Sequence, residues 1–338
     1  MIDLLVAGAG PAGAATAIRA ALAGLSVVVV EPRPAPIDKA CGEGIAHSAV
    51  AYLERLGVEL SGRPFHGIRY LDETHTVDAH FTAGPGLGVR RTTLHAALMS
   101  RLAALNVPVL PTRVGPITQT PTSVTAAGHT ARYLAAADGL HSPIRRQLSL
   151  TTPTPGAVRR GLRRHFAVSP WTDLVEVYWS KLGEAYVTPV ADDLVGVAVL
   201  TSARGTFDSH LDAFPLLKRR LQGAAPASAV MGAGPLRQRV TARTAGRVLL
   251  VGDAAGYVDA LTGEGIAVAL RTSAELVDCI RADRPQDYEA AWRRVSWECR
   301  LLTASLLWAR NRPLLAPRIV PAAAAVPGIY RTIVNRLS

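Results

Sequence analysis

The sequence predicts an α/β protein in which a parallel-sheet domain is interrupted by a mainly antiparallel β-sheet and followed by a helical C-terminus. A strand, a helix and a second strand follow one another within residues 3–31. Four β-rich segments without helical periodicity lie within residues 159–201. Apolar residues at helical spacing then predict a long amphipathic helix at residues 288–308. This order indicates that the second sheet is inserted into the first domain.

The first two strands are predicted at residues 3–7 and 26–31, because each is a short, continuous apolar run of the kind buried in parallel sheets. An alanine-rich helix at residues 11–23 joins them. The other predicted elements, in chain order, are a helix at 46–56, two short strands within 67–81, a helix at 92–105, several short strands within 107–136, a strand at 247–251 and a helix at 265–280. Four prolines after Asn311 limit the C-terminus to short helical pieces.

These elements divide the chain into three predicted parts. The parts are a discontinuous first domain of residues 1–65, 89–155 and 240–285, an inserted second domain of residues 66–88 and 156–239, and a helical C-terminal segment of residues 286–338. We expect the inserted sheet to supply most of the pocket for a small molecule. No internal repeat of solenoid period occurs along the chain.

The composition is that of an ordinary globular protein, with 338 residues of which 49% are hydrophobic. The net charge is +11, and a basic balance suits nucleic acid, an anionic membrane or acidic ligands. We expect no nucleic-acid partner, because there is no basic run of five or more residues and no nucleic-acid-binding motif. Peripheral contact with a membrane stays open, because the apolar tail at residues 311–338 accompanies this charge. Composition leaves the oligomeric state unassigned.

The three cysteines, Cys41, Cys279 and Cys299, form no CxxC pair. They predict neither a disulfide framework nor a zinc site, so we expect a cytoplasmic protein and assign no metal. The apolar start of the chain lacks a basic region and ends in a glycine loop, so we interpret it as a strand and not as a signal peptide.

A glycine-rich turn, Gly8-x-Gly10-x-x-Gly13, lies between the first predicted strand and the first predicted helix. There Gly8 allows a tight turn, Gly10 lets the backbone approach a pyrophosphate, and Gly13 lets helix and strand pack closely. Free N–H groups at the helix N-terminus attract the phosphates. Glu31 follows Gly13 by 18 positions, close to the roughly 20 expected for the acid that binds a ribose hydroxyl. The pattern predicts a Rossmann-like site that accepts FAD or NAD rather than NADP.

Two later strands also end in polar loops. In residues 133–146 a strand of small residues ends at Asp138, and in residues 246–270 a strand ends at Gly252-Asp253. A carboxylate at a strand end can accept hydrogen bonds from sugar-like hydroxyl groups. The next helix is opened by Gly263 and Gly265, where the N–H groups of Gly265 and Ile266 suit an oxygen of a bound ring.

The three motifs, in this order, resemble the FAD-dependent oxidoreductases of the p-hydroxybenzoate hydroxylase fold over residues 1–276. Within that superfamily, which includes flavin monooxygenases, the chain is most similar to the geranylgeranyl reductase-like branch. Its Cys41-Gly42-Glu43-Gly44 matches a Cys-Gly-(Asp/Glu/Gly)-Gly element of the branch. An aromatic-x-x-Pro element is matched more loosely, at Tyr186 and Pro189.

The resemblance implies which residues hold FAD. Arg91 matches an arginine that reaches the phosphate or ribityl region, Val114 aligns with a strand whose backbone meets adenine, and Asp253 would hold the ribityl chain. The complete implied set is Gly8, Gly10, Pro11, Ala12, Gly13, Glu31, Arg33, Cys41, Gly42, Gly44, Arg91, Val114, Asp138, Gly252, Asp253, Gly263, Gly265 and Ile266. Since only one dinucleotide motif is complete, an NAD(P)H donor would visit transiently, or a protein would donate the electrons.

The sequence departs from the superfamily at two points. Hydroxylases of this fold usually have a proline shortly before the last glycine loop, where this chain has Ala260. The tryptophan and lysine pattern of halogenases is missing around Trp171 and Trp179, which argues strongly against halogenation. A second GAGP string, at residues 231–240, is followed by no helix and is interpreted as a linker.

The loop of residues 41–45 is expected beside the flavin ring. There Cys41 would be a proton donor or a contact to the ring, and Glu43 would be a general acid if burial raised its pKa. The favoured reaction is hydride transfer from the flavin to a C=C bond of an apolar small molecule. The alternatives are monooxygenation of an aromatic or polyketide-like substrate, and a non-catalytic flavoprotein. Purely structural roles for Cys41 and Glu43 also stay open.

Overall fold

The computed structural model describes residues 1–154, 156 and 158–337. Its α-helices are α1 (Pro11–Leu22), α2 (His47–Arg55), α3 (Arg91–Ala104), α4 (Pro143–Gln147), α5 (Phe207–Leu211), α6 (Pro215–Arg220), α7 (Gly265–Arg281), α8 (Tyr288–Arg310), α9 (Ile319–Ala325) and α10 (Pro327–Leu337). Single 3-10 turns lie at Gly252–Ala255, Pro285–Asp287 and Ala316–Arg318.

The β-strands are β1 (Ile2–Ala7), β2 (Val27–Val30), β3 (Gly44–Ile45), β4 (Arg63–Phe65), β5 (Gly67–Leu71), β6 (Thr76–His80), β7 (Gly86–Gly88), β8 (Val109–Leu110), β9 (Thr118–Gln119), β10 (Val124–Ala126), β11 (His129–Ala136), β12 (Thr151–Thr152), β13 (Arg160–Ala167), β14 (Val175–Trp179), β15 (Gly183–Ala191), β16 (Leu194–Thr201), β17 (Ala225–Pro226), β18 (Met231–Ala233), β19 (Arg239–Val240), β20 (Thr244–Ala245) and β21 (Val248–Leu250). The α/β class and the helical C-terminus predicted from the sequence are confirmed.

The first sheet has the strand order β20-β21-β11-β1-β2-β8, with β10 and β9 added beside β11. β1 pairs in parallel with β2 and with β11, and β11 pairs in parallel with β21. All four residues of β2 are buried, as expected for a valine run covered on both faces. Because parallel strands end at one edge of a sheet, the loops after β1, β2, β11 and β21 lie close together.

Small residues let helices pack closely around this sheet. Helices α1 and α7 contact each other, and Ala14, Ala17 and Ile18 of α1 are fully buried. On α3 the side chains of Leu94, Leu98 and Leu102 are buried. Leu105 lies partly exposed just past the helix end. This packing fixes the helix that begins at the glycine-rich turn.

The second sheet has the order β17-β13-β16-β15-β14-β5-β6, with β18 beside β13. Its pairs are antiparallel as predicted, except that β14 runs parallel to β5. One face packs against α5 and α6 through Phe207, Phe214 and Leu217. The opposite face therefore remains for the loops of the first sheet. A separate small sheet has the order β3-β7-β4, and its strands β4 and β7 contact β15 of the second sheet.

The C-terminal helices pack against the second sheet. Leu307 of α8 and Val320 of α9 belong to one buried cluster with Val177 of β14. Tyr330 of α10 packs against β6, and its hydroxyl donates to the carbonyl of Ile68 at 3.1 Å. Among the helices that the structure describes, none combines the length and apolar character of a membrane-spanning segment.

Two expectations about loops are wrong. The supposed linker at 231–240 contains β18, which pairs with β13, and β19, which pairs with β12. Such short edge strands have too few residues to show a periodic pattern. Val114 lies in the loop after β8 rather than in a strand, because Pro111 follows β8 and cannot continue its hydrogen-bond ladder. The domain bounds stay a prediction, and the bound at residue 155 lies outside the described residues.

Candidate functional site

A cavity of about 930 Å³ lies between the carboxyl edge of the first sheet and the free face of the second. Fifteen of the nineteen predicted site residues line it: Gly10, Pro11, Ala12, Arg33, Cys41, Gly42, Glu43, Gly44, Arg91, Asp138, Gly252, Asp253, Gly263, Gly265 and Ile266. The exceptions are Gly8, Gly13, Glu31 and Val114. Motifs from distant parts of the chain therefore converge on one cavity.

Gly8 and Gly13 shape the cavity wall without lining it. Gly8 has φ +104°, and a Cβ atom there would lie 2.5 Å from the carbonyl oxygen of Ala137. A Cβ atom at Gly13 would lie 1.8 Å from the carbonyl oxygen of Gly8. These contacts are far too short for any side chain, so both glycines are required for the turn that presents Gly10 and the N-terminus of α1 to the cavity.

Arg91 brings an uncompensated positive charge to this turn. The side chain is buried, and its Nη1 has no hydrogen-bond partner among the described residues. A Cβ atom at Gly10 would lie 3.7 Å from Arg91 Nη2. Burial lowers the pKa of Arg91, partly offset by the negative groups nearby. A buried guanidinium beside free helix N–H groups is the surrounding that a pyrophosphate requires.

Glu31 is held behind the same turn. Its Oε2 accepts from the N–H of Ala9 at 3.1 Å, and the Arg33 side chain donates to the two carboxylate oxygens at 2.8 and 3.0 Å. Burial raises the pKa of Glu31, but the hydrogen bonds from Arg33 and Ala9 outweigh it, and the net pKa lies below its usual value. Glu31 is thus an ionised acceptor at the end of β2, with the partly exposed Arg33 covering it.

The loops after β11 and β21 form the opposite wall. Lys39 donates to Asp253 Oδ2 at 2.9 Å. Asp138 accepts from the N–H of Ile144 at 3.0 Å through Oδ2, and its Oδ1 has no partner among the described residues. Burial raises the pKa of Asp138. A buried carboxylate oxygen that lacks a donor fits a ligand with hydroxyl groups.

Arg145 joins these two loops, a role that the sequence did not indicate. It is 1% exposed. Its guanidinium donates to the carbonyls of Leu140 at 2.9 Å and Ala254 at 3.1 Å, and to the side chain of Gln238 at 2.8 Å. Arg145 therefore fixes the strand-end loops relative to each other.

Glu43 is the centre of the Cys41–Gly44 loop, and its φ of +61° is unusual for a residue with a side chain. Its Oε1 accepts from the N–H of Arg91 at 2.8 Å, and its Oε2 lies 2.6 Å from Nε2 of His165. The N–H of Glu43 approaches Cys41 Sγ at 3.4 Å. Burial is the main cause that raises the pKa of Cys41, so the thiol is protonated at neutral pH. Both Cys41 and Glu43 line the cavity, but each carboxylate oxygen of Glu43 already has a hydrogen-bond partner.

His165 connects Glu43 to a polar network on the second sheet. Its Nδ1 lies 3.0 Å from Ser228 Oγ and 3.2 Å from Arg163 Nη1. Arg163 also donates to Asp38 and to the carbonyl of Lys39. No sequence motif links these residues, because His165 lies 122 positions after Glu43 and 63 positions before Ser228.

A buried ionic cluster supports the loop before α7. Arg159 donates to Glu184 at 2.7 Å and to Asp259 at 2.9 Å, and Arg310 also pairs with Glu184. Within this loop Glu264 is buried, and burial raises its pKa to about 7 despite Arg271 at 3.4 Å. Glu264 lines the cavity and was not among the predicted site residues.

The far end of the cavity is apolar. The sheet and the C-terminal helices contribute aromatic and aliphatic side chains, among them Phe65, Ile68, Tyr70, Phe81, Val175, Val177, Tyr186, Leu302, Leu306, Ile319, Val326, Ile329 and Tyr330. Tyr186 donates its hydroxyl to the carbonyl of Leu261 at 2.6 Å, which joins this end to the loop before α7. The arrangement places a polar, phosphate-compatible end and an apolar end in one continuous space.

A family model described as FAD binding domain matches residues 1–189, more than half of the chain. This chain belongs to that FAD-binding family. The chain is 31% identical over 323 residues to the menaquinone reductase of Mycolicibacterium smegmatis, covering 86% of this chain and 79% of that protein. It is 28% identical to digeranylgeranylglycerophospholipid reductase 1 of Methanothermobacter thermautotrophicus, covering 80% of this chain and 74% of that protein.

Solved structures share the fold of this FAD-binding protein. The flavin-dependent brominase Bmp2 superposes with a TM-score of 0.83 at 17% identity, covering 99% of this chain and 93% of that one. The p-nitrophenol 4-monooxygenase PnpA from Pseudomonas putida superposes with a TM-score of 0.81 at 18% identity, covering 99% and 96%. At these identities the likeness shows the fold alone. The resemblance to the p-hydroxybenzoate hydroxylase fold is confirmed, and the protein is an FAD-dependent oxidoreductase.

The residues of the cavity fit this cofactor. Within the part of the chain that the structure describes, Arg91 leaves a buried N–H group unpaired beside the glycine-rich turn, and Asp138 leaves a carboxylate oxygen unpaired at the loop after β11. The pyrophosphate of FAD would accept the hydrogen bond of the Arg91 N–H group. A hydroxyl group of its ribityl chain would donate to the Asp138 oxygen.

Proposed function

We propose that the protein is a reductase that adds hydrogen across a C=C bond of an apolar, prenyl-bearing molecule. The observation that carries this proposal is the apolar end of the cavity, which is continuous with the Cys41 loop and is lined by residues of the C-terminal helices. Relatives named for menaquinone and for digeranylgeranyl lipids support the choice of substrate class. Ala260, in place of the hydroxylase proline, favours reduction over oxygen transfer.

The cofactor-binding roles are part of the proposal. Gly10 and the N-terminus of α1, together with Arg91, would hold the pyrophosphate, and Glu31 would hold the adenosine ribose once Arg33 moves aside. Asp138 and Asp253 would bind hydroxyls of the ribityl chain. The backbone at Gly263, Gly265 and Ile266 would contact the ring, as would the loop at Cys41, Gly42 and Gly44. Val114 would meet the adenine through its backbone. Bound FAD supplies hydride transfer.

Cys41 is proposed as the proton donor. When a hydride adds to one carbon of a C=C bond, the other carbon must take a proton from an acid, and the protonated Cys41 thiol lines the cavity. Glu43 is proposed as a positioning residue, because its carboxylate binds the N–H of Arg91 and the ring of His165. This assignment replaces the role of general acid that the sequence analysis expected for Glu43.

The setting of the reaction is proposed as well. We infer that a nicotinamide dinucleotide binds transiently and reduces the flavin. We also infer that the protein is cytoplasmic, because its three cysteines form no disulfide framework. Peripheral contact with a membrane is supported by exposed apolar side chains on and after α8: Trp297, Leu301, Trp308 and Leu314. Such contact would give the apolar cavity access to a lipid substrate.

The test is anaerobic turnover of the flavin-loaded protein with menaquinone and with a digeranylgeranyl lipid, using NADH or NADPH as the donor. A product two hydrogens heavier than the substrate supports the proposal. A product that gains one oxygen atom, formed only in air, would make the protein a monooxygenase. Flavin that neither dinucleotide reduces, in the presence of each substrate, would favour a non-catalytic flavoprotein.

A further inference from the structure

A second cavity, of about 500 Å³, lies outside the flavin cavity. Residues 237–243 form one side of it, and residues of α8 form another. The segment Gly256–Val258 contributes the wall between the cavities, because Tyr257 lines both. None of the flavin-binding or proton-donor residues proposed above lines this second cavity.

Five arginines line the second cavity: Arg237, Arg239, Arg243, Arg293 and Arg300. Glu289 binds two of them, at 2.6 Å to Arg243 and at 3.0 Å to Arg293. Among the described residues, the other three arginines form no ion pair. Five positive charges against one negative charge leave the cavity strongly cationic, and like charges held together are repulsive unless an anion joins them.

Trp292 holds two of these guanidinium groups in place. The centroid of its buried ring lies 3.6 Å from Cζ of Arg243 and 4.8 Å from Cζ of Arg300. Arg243 is itself 7% exposed, and its Nε has no hydrogen-bond partner among the described residues. Burial, and after it the charge of Arg293, lowers the pKa of Arg300. Arg243 is therefore held and largely desolvated in the wall of the cavity, whereas the other four arginines are exposed, so that a ligand from solvent can reach them.

We propose that this cavity binds a phosphate group of an anionic ligand, because guanidinium forks match the oxygens of a phosphate. Two sources present that group. A nicotinamide dinucleotide is one, since the cavity shares the Tyr257 wall with the flavin cavity. The headgroup of an anionic phospholipid is the other. On α8 the exposed Trp297 follows Arg293 by four residues, so an apolar side chain stands next to the cationic cavity.

The first test is a titration of the flavin-loaded protein with inorganic pyrophosphate, followed by calorimetry. Filling the flavin cavity beforehand prevents pyrophosphate from binding there. We expect Arg239→Gln and Arg300→Gln each to weaken binding about tenfold or more, as loss of a charge-assisted contact does. The matched control Arg204→Gln changes an exposed arginine that lines neither cavity, and should bind like the unaltered protein.

The proposal is overturned if the unaltered protein does not bind pyrophosphate, or if both cavity variants bind it as tightly as the control. The visible spectrum of the bound flavin, measured on every variant, shows that the fold is retained. Competition then identifies the source. Displacement of pyrophosphate by NADPH supports the dinucleotide, and displacement by vesicles that contain phosphatidylglycerol supports the lipid. If neither competes, the cavity is not a site for either phosphate ligand and the proposal fails.

Discussion

Glu264 provides a test of the energetics of the loop before α7. The side chain is 7% exposed, and its pKa rises from 4.5 to about 7 because burial disfavours the charged form. When the pKa of a carboxyl group is higher in the folded protein than in the unfolded chain, the group stabilises the folded state fully at pH values below its unfolded pKa. This stabilisation is lost as the pH rises to the pKa of the folded protein. The loss therefore falls between about pH 4.5 and pH 7. Each pKa unit corresponds to about 1.4 kcal/mol, which makes the total about 3 kcal/mol.

The perturbation is Glu264→Gln, which removes the titration and keeps the shape of the side chain. Urea unfolding of the flavin-free protein and of the variant, at pH 5 and at pH 8.5, gives four free energies of unfolding. Between pH 5 and pH 8.5 we expect the free energy of unfolding of the unaltered protein to fall by about 2.5 kcal/mol relative to that of the variant, because pH 5 already lies above the unfolded pKa. The control is Glu54→Gln at an exposed position of α2, with an expected relative change near zero. A relative change near zero for Glu264→Gln as well would refute the reasoning.

Three further predictions concern the cofactor, the reaction and the fold. Arg91→Met should weaken FAD binding about 10- to 100-fold in a fluorescence titration, because a charge-assisted hydrogen bond to phosphate is worth about 1.5–3 kcal/mol. Cys41→Ser should slow turnover at least about tenfold while FAD stays bound, because a hydroxyl is a much weaker acid than a thiol. Arg159→Met should lower the free energy of unfolding by about 3–5 kcal/mol, because buried Asp259 loses its ion-pair partner and buried Glu184 keeps only Arg310.

Each of these has an outcome that contradicts it. If the dissociation constant for FAD were unchanged in Arg91→Met, the Arg91 guanidinium would not be a phosphate-binding group. Full turnover of Cys41→Ser would leave the thiol a purely structural role. For Arg159→Met the control is Arg160→Met at the neighbouring exposed position, and equal stability of the two variants would show that the buried cluster contributes nothing.

The parts of the site that the sequence predicted are those coded locally. The glycine-rich turn needs three glycines within six positions, and contacts as short as 1.8 Å at Gly13 explain why no other residue fits there. The other two loops are also predicted by local sequence, because each follows a short run of small or β-branched residues that ends near Asp138 or Gly252. For this reason most of the predicted cofactor residues line one cavity.

The parts that the sequence did not predict depend on contacts between distant segments. His165 meets Glu43 only because the second sheet folds over the first domain, and no spacing rule links positions 122 residues apart. The raised pKa of Glu264 arises from burial that several elements create together. For Val114 the resemblance to the family was misleading. It predicted that Val114 lies in a strand, but β8 ends just before Pro111 and Val114 lies in the following loop.

The central claim is that three distant loops hold one FAD molecule per chain. The most direct measurement is a titration of the flavin-free protein with FAD, read by the visible absorbance and the quenching of flavin fluorescence. The account predicts saturation at one FAD per chain, with the affinity reduced by Arg91→Met. A protein that stays colourless at saturating FAD, or that binds FAD equally well without the Arg91 guanidinium, would contradict it.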